Sequence, residues 1–152
     1  VEVGAGLLDA DDVVDLAEAS DGVSVDVGDG ATAFGFEAAE VAVTEGLLPD
    51  TISTDYYRHH LVNEMDHDMS HVVSKLMAVG MTEEQCWRCV TSMPAQVLGL
   101  CDEIGRLQAG ATADFCVVRP SDEPVVMRDG PGETRTGYRW EPVVTVLAGE
   151  VV

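Results

Sequence analysis

Leu48-Pro49-Asp50-Thr51-Ile52-Ser53-Thr54-Asp55 is the stretch on which the fold turns. Thr51-Ile52-Ser53-Thr54 follows a proline and is rich in β-branched residues, which predicts a short strand with Asp55 at its end. Upstream, Phe34 to Thr44 places Phe34, Ala38, Val41 and Ala42 at helical spacing and stops at Gly46. Farther upstream, Val23-Ser24-Val25-Asp26-Val27 alternates apolar and polar residues and runs into Gly28-Asp29-Gly30, a strand followed by a loop that needs backbone freedom. Strand, helix and strand in this order make a βαβ unit, so the two strands are expected to be parallel. An acidic start near Asp9 opens a further helix to Ala19, closed by Asp21-Gly22.

Downstream, residues 56–67 read as a polar, aromatic and His-rich loop. Asp68 to Val79 reads as a helix stopped by Gly80. Thr82-Glu83-Glu84-Gln85 is a capping box for the next helix, and Pro94 suits the first turn of another that ends at Gly99. From about Cys101, Gly and Pro punctuate short β runs at Phe115–Val118, Val125–Met127 and Val143–Leu147. The expected organisation is an α/β part over residues 1–100 and a small β part over 101–152.

The chain has 152 residues, of which 46% are apolar, enough for a real core. Its 28 acids against 8 bases give a net charge of −20, which argues against a nucleic-acid backbone or an anionic membrane surface as partner. Lys75 is the only lysine. The longest apolar runs are a handful of residues, too short to span a bilayer. The four cysteines lack the paired spacing of a secreted scaffold and read as reduced thiols of a cytoplasmic protein.

Asp55 is the strongest chemical position. In parallel α/β folds the loops after the strands converge over the sheet, and an Asp there can bind a metal or move a proton. A strand-ending Asp also serves as a plain turn or cap residue. Gly28-Asp29-Gly30 lies at the same level of the sheet but lacks a full G-x-G-x-x-G, so a tight strand-to-helix turn accounts for it. His67 and His71 stand four apart, as in H-E-x-x-H, but Asp68 replaces the Glu and no third ligand is apparent. Cys86-Trp87-Arg88-Cys89 is a C-x-x-C, yet the capping box starts its helix at Thr82 and places Cys86 a full turn inside. Two small buried helix residues explain it better than redox or zinc chemistry.

These segments together resemble one family. Leu48 to Asp55 is similar to the "PDTISTD" segment of the metal-dependent amidohydrolase superfamily, in its dihydroorotase-like deacetylase branch. Val25-Asp26-Val27-Gly28-Asp29-Gly30 resembles the "DVGHG" before it, and Ser74 to Met81 the "SK-L-LGM" helix. Thr91 to Leu100 resembles "T-NPA--LGL", Ile104 to Asp114 "IG-L--G--AD", and Pro142 to Val152 the last strands. Val1 to Asp9 resembles the "G-G-LD" stretch beyond the strand-6 histidine. The resemblance implies the C-terminal part of a (β/α)8 TIM barrel, strands 7 and 8 with their helices, followed by a small β-sandwich tail.

It also implies one or two divalent metals, usually zinc. The family's ligands are a His-x-His on strand 1, a carboxylated Lys on strand 4, His on strands 5 and 6, and Asp on strand 8. Asp55 matches the last of these. Its implied role is to bind the metal, orient the activated water, accept its proton and pass it to the leaving group of an amide, cyclic amide or acyl ester. Gly28, Asp29, Gly30 and Tyr56 are the implied substrate contacts. Asp29 stands where the branch has His, and Tyr56-Tyr57 replaces its "LH", so the pocket rim is altered.

The rest of the barrel is then expected from an N-terminal half supplied in cis or in trans, with a homo-oligomer left open. A partial gene record, a decayed gene and a split enzyme all account for a chain that opens at Val1. Alone, the chain is expected neither to bind zinc tightly nor to hydrolyse amides. The alternatives from other classes are a non-catalytic α/β module that binds a partner and a thiol-redox protein using Cys86 and Cys89.

A surface carrying −20 stays soluble at high salt, where screening quenches its self-repulsion, so a salt-adapted protein is expected. Its melting temperature should rise as KCl goes from low to molar concentration; a fall over that range contradicts salt adaptation.

Overall fold

The computed structural model describes residues 24–30, 33–58, 62 and 68–152. The helix expected over residues 9–19, His59, His60 and His67 lie outside the described residues.

Strand β1 (Asp26–Gly28) pairs in parallel with β2 (Thr51–Ser53), in the register Asp26–Thr51, Val27–Ile52 and Gly28–Ser53. Helix α1 (Phe36–Thr44) connects them, so the βαβ reading holds. Side chains alternate across a strand. Val25, Val27 and Ile52 therefore share one face and pack into the apolar core or against it. Asp26, Gly28, Thr51 and Ser53 share the other face. Among the described residues these two parallel strands do not close a barrel.

Helix α2 (Met69–Ala78) is the centre of the molecule. Val72, Val73, Ser74, Lys75 and Leu76 are all buried, because β2, α3 (Glu83–Cys89), β5 (Thr134–Gly137) and β6 (Trp140–Leu147) pack around it. Its N-terminus is capped by Asp68, which accepts from the His71 N–H at 2.8 Å and from Arg139 at 3.0 Å. Burial pushes the Asp68 carboxyl up, but hydrogen bonds from Ser70, His71 and Arg139 outweigh it and hold the group below its ordinary value. Ser74 accepts from the Trp140 N–H at 2.9 Å, tying α2 to the start of β6. Trp140 also meets Trp87 of α3 edge to face, with ring centroids 5.2 Å apart.

The Thr82–Gln85 capping box opens α3 as the residue pattern predicts, and α4 (Ser92–Val97) carries Pro94 in its first turn. The C-terminal part holds β3 (Phe115–Pro120), β4 (Val125–Arg128), β5, β6 and β7 (Glu150–Val151). They form an antiparallel β3-β6-β7 sheet and a separate β4–β5 hairpin. Strand β5, Thr-Arg-Thr-Gly, has no apolar residue to mark it in the sequence; its pairing with β4 makes it a strand.

The core runs through both parts. Met127 of β4 belongs to the same buried cluster as Phe34, Phe36, Val72, Leu76 and Cys86. Gly35, the N-cap of α1, has no side chain to offer; Asp129 replaces it from the hairpin tip, accepting the Phe36 N–H at 2.9 Å. Glu40 of α1 takes a two-pronged contact from Arg135 of β5 at 2.6 and 2.9 Å, which holds its carboxyl below the ordinary range.

The most demanding contact is Lys75 with Asp29. Lys75 Nζ donates to both Asp29 oxygens, at 2.9 and 2.8 Å, and the two side chains are 7% and 2% exposed. Removing one partner strands a buried charge. Lys75→Met should cost about 3–5 kcal/mol in urea unfolding, and adding Asp29→Leu should restore about half of that or more. A single-variant cost below about 1 kcal/mol would show that water already reaches the pair.

Candidate active site at the end of the parallel pair

Asp55 stands two residues past Ser53 of β2, at a φ of 48°. That left-handed conformation is uncommon outside glycine, and Asp is among the residues that tolerate it. It brings the carboxylate back over β1. A Cβ built on Gly28 would lie 1.9 Å from Asp55 Oδ2, and one built on Gly30 would lie 3.4 Å from the same atom. Gly28 is thus required by a close approach: any side chain there takes the space of the Asp55 carboxylate.

Beneath Asp55 lies a polar ladder on the same face of the sheet. Ser53 Oγ is 3.2 Å from Asp55 Oδ1 and 2.7 Å from Asp26 Oδ2. Thr51 Oγ1–H donates to Asp26 Oδ1. The residue types alone do not single out Asp26, Thr51 and Ser53. The signal for them is the two-residue period of the strands, which aligns Asp26 and Gly28 with Thr51, Ser53 and Asp55.

The other candidates are placed differently. Gly28 and Gly30 sit under Asp55. Asp29 points to the helix side, where Lys75 engages both its oxygens. Tyr56 and Tyr57 follow Asp55 and are half exposed, at 49% and 50%. His71 lies on α2, and its expected companion His67 is outside the described residues. Among the described residues no group of three His, Cys, Asp or Glu could hold a metal ion.

Cys86 and Cys89 are free and buried on α3. Burial, with a smaller push from Cys89, raises the Cys86 thiol to about 12, so it stays protonated at neutral pH. Cys89 Sγ lies 3.1 Å from the Pro49 carbonyl oxygen, a packing role beside the loop that leads into β2. A groove of about 630 Å³ between α2, α3 and the β3–β6 sheet is lined by Met69, Trp87, Val90, Val118 and Pro142 among others. None of its lining residues belongs to β1 or β2, and Asp55 is not among them.

The model of the amidohydrolase family matches residues 5–152. The chain belongs to that family. A deacetylase of Agrobacterium fabrum is 36% identical over 152 residues, which cover 98% of this chain and 37% of that protein. A deacetylase of Enterococcus faecalis is 31% identical over 131 residues, covering 86% and 35%. The crystal structure of a dihydroorotase superposes with a TM-score of 0.80 at 36% identity, over 93% of this chain and 38% of that one. The structure of an adenine deaminase gives the same TM-score at 29% identity, over 90% and 37%. The chain therefore spans little more than a third of the length of the curated amidohydrolase relatives it matches. Among the described residues no helix is long and apolar enough to cross a membrane.

Proposed function

We propose that this chain carries the C-terminal portion of a metal-dependent amidohydrolase that cleaves an amide, a cyclic amide or an acyl ester of a small molecule. In this reading β1 and β2 are strands 7 and 8 of a (β/α)8 barrel, and residues 101–152 belong to its β-sandwich. The observation that carries it is the Asp55 carboxylate, held over Gly28 at the end of β2 by a left-handed backbone. The family match and the deacetylase and dihydroorotase relatives support the same chemistry.

The described residues fit one corner of a metal site. Asp55 offers one carboxylate, seated against the bare backbone of Gly28 and Gly30, whereas a zinc ion takes about four ligands. The remaining ligands belong to the other part of the barrel, in cis or in trans, and the chain alone is proposed to be inactive. A divalent ion held there, zinc first among the candidates, would supply Lewis-acid activation of water and of the scissile carbonyl. Asp55 does the proton work: its carboxylate orients the attacking water, takes up its proton and returns it to the leaving nitrogen or oxygen. Gly28, Gly30 and Tyr56 border the space where a substrate would meet Asp55. Asp29, gripped by Lys75, fixes the loop between them.

The test is a chimera in which residues 24–152 replace the matching stretch of the Agrobacterium fabrum deacetylase, assayed for N-acetyl hydrolysis. Asp55→Asn in an active chimera should lower turnover about 10³-fold or more while leaving the melting temperature nearly unchanged. Undiminished turnover in the Asp55→Asn chimera overturns the role of Asp55.

A further inference from the structure

We infer that Asp26 is a positioning residue for Asp55, acting through the hydroxyl of Ser53. The inference rests on the reading that Asp55 carries the chemistry. Asp26 sits opposite Thr51 in the parallel register, two residues below the Gly28–Ser53 pair and on the same face. Its two carboxylate oxygens take the hydroxyls of Thr51 and Ser53, so both polar side chains of β2 are oriented from β1.

The count of protons decides the polarity. A serine hydroxyl has one proton to donate and two lone pairs. Ser53 Oγ has two carboxylate oxygens in reach, Asp26 Oδ2 at 2.7 Å and Asp55 Oδ1 at 3.2 Å. A hydroxyl–carboxylate bond of 2.7 Å has the length of a strong charge-assisted one, and the longer contact does not. The proton therefore goes to Asp26, and Ser53 presents its lone pairs to Asp55 Oδ1. Asp26 in this way keeps the Ser53 hydroxyl from capping Asp55, whose oxygen stays available to a metal ion, a water or a proton.

Without that acceptor the hydroxyl is free to rotate. It would then donate to Asp55 Oδ1, the other carboxylate in reach. The result is a carboxylate drawn toward the sheet with one oxygen engaged by a hydrogen bond. Asp26→Ala removes both acceptor oxygens, whereas an amide at position 26 would keep a carbonyl oxygen able to take the Ser53 proton. A mere clip between two strands would have no such effect on Asp55.

The experiment uses the 152-residue chain, labelled with ¹³C at the aspartate carboxyl carbons, free of metal and held at one neutral pH. The Asp55 signal is assigned by its loss in Asp55→Asn and compared in wild type, Asp26→Ala, Ser53→Ala and the double variant. Asp26→Ala should displace the Asp55 signal, and in the Ser53→Ala background the displacement should shrink about fivefold or more, because the coupling runs through that hydroxyl. Ser53→Ala alone should leave the Asp55 signal nearly where it is in wild type, and this comparison decides the matter even where Asp26→Ala folds poorly: a large Ser53→Ala shift means Ser53 already donates to Asp55 and overturns the inference. An equal Asp26→Ala displacement in both backgrounds, or none, also overturns it. The readout involves neither metal nor turnover, so its failure leaves the Asp55 reading standing, and an Asp55→Asn chimera of undiminished turnover refutes that reading alone.

Discussion

The buried pair between Lys75 and Asp29 sets the terms for everything around it. A lysine and a carboxylate out of water each carry a desolvation cost of several kcal/mol, offset only when both oxygens and the ammonium are engaged at short distance. That condition fixes α2 against the loop after β1 and turns Asp29 to the helix side of the parallel pair. Phe34 lies against the ammonium, 5.6 Å from its ring centroid, and meets Phe36 edge to face. From there the order passes to the hairpin, because the Phe34 carbonyl accepts from Gly130 and the Phe36 N–H donates to Asp129. The ion pair orders the α/β part, and the Asp129 cap and the Phe34–Gly130 bond help join it to the C-terminal strands.

The opposite face of the same two strands is free to be polar. With Val25, Val27 and Ile52 directed to the core, Asp26, Thr51, Ser53 and Asp55 can gather where a fully packed sheet would need apolar residues. This is the division expected of strands whose one face meets helices and whose other face serves chemistry. The left-handed backbone at Asp55 and the bare backbone of Gly28 belong together. The first turns the carboxylate back over the sheet, and the second leaves it room.

Much of this was legible in the residues. The βαβ unit, the Thr82 capping box and Asp55 at a strand end follow from local pattern, because β-branched runs, caps and glycine stops act over a few residues. Strand β5 was not legible, since Thr134–Gly137 carries no apolar alternation and owes its state to β4. Nor were the contacts that join distant segments: Asp129 capping α1 from 93 residues away, or Lys75 reaching Asp29 across 46. Such pairs depend on where the fold brings the chain back. Asp29 shows the limit well: its neighbours in sequence mark a loop beside Asp55, while only the strand's alternation and the helix behind it reveal the face it takes.

The site depends on Gly28 making room for Asp55. The most direct measurement is a crystal structure of the Gly28→Ala chain. The added methyl should displace the Asp55 carboxylate from above β1 and break its approach to Ser53, while the β1–β2 register and the Lys75–Asp29 pair stay as they are. An Asp55 carboxylate still seated over position 28, beside the new methyl, would contradict that dependence.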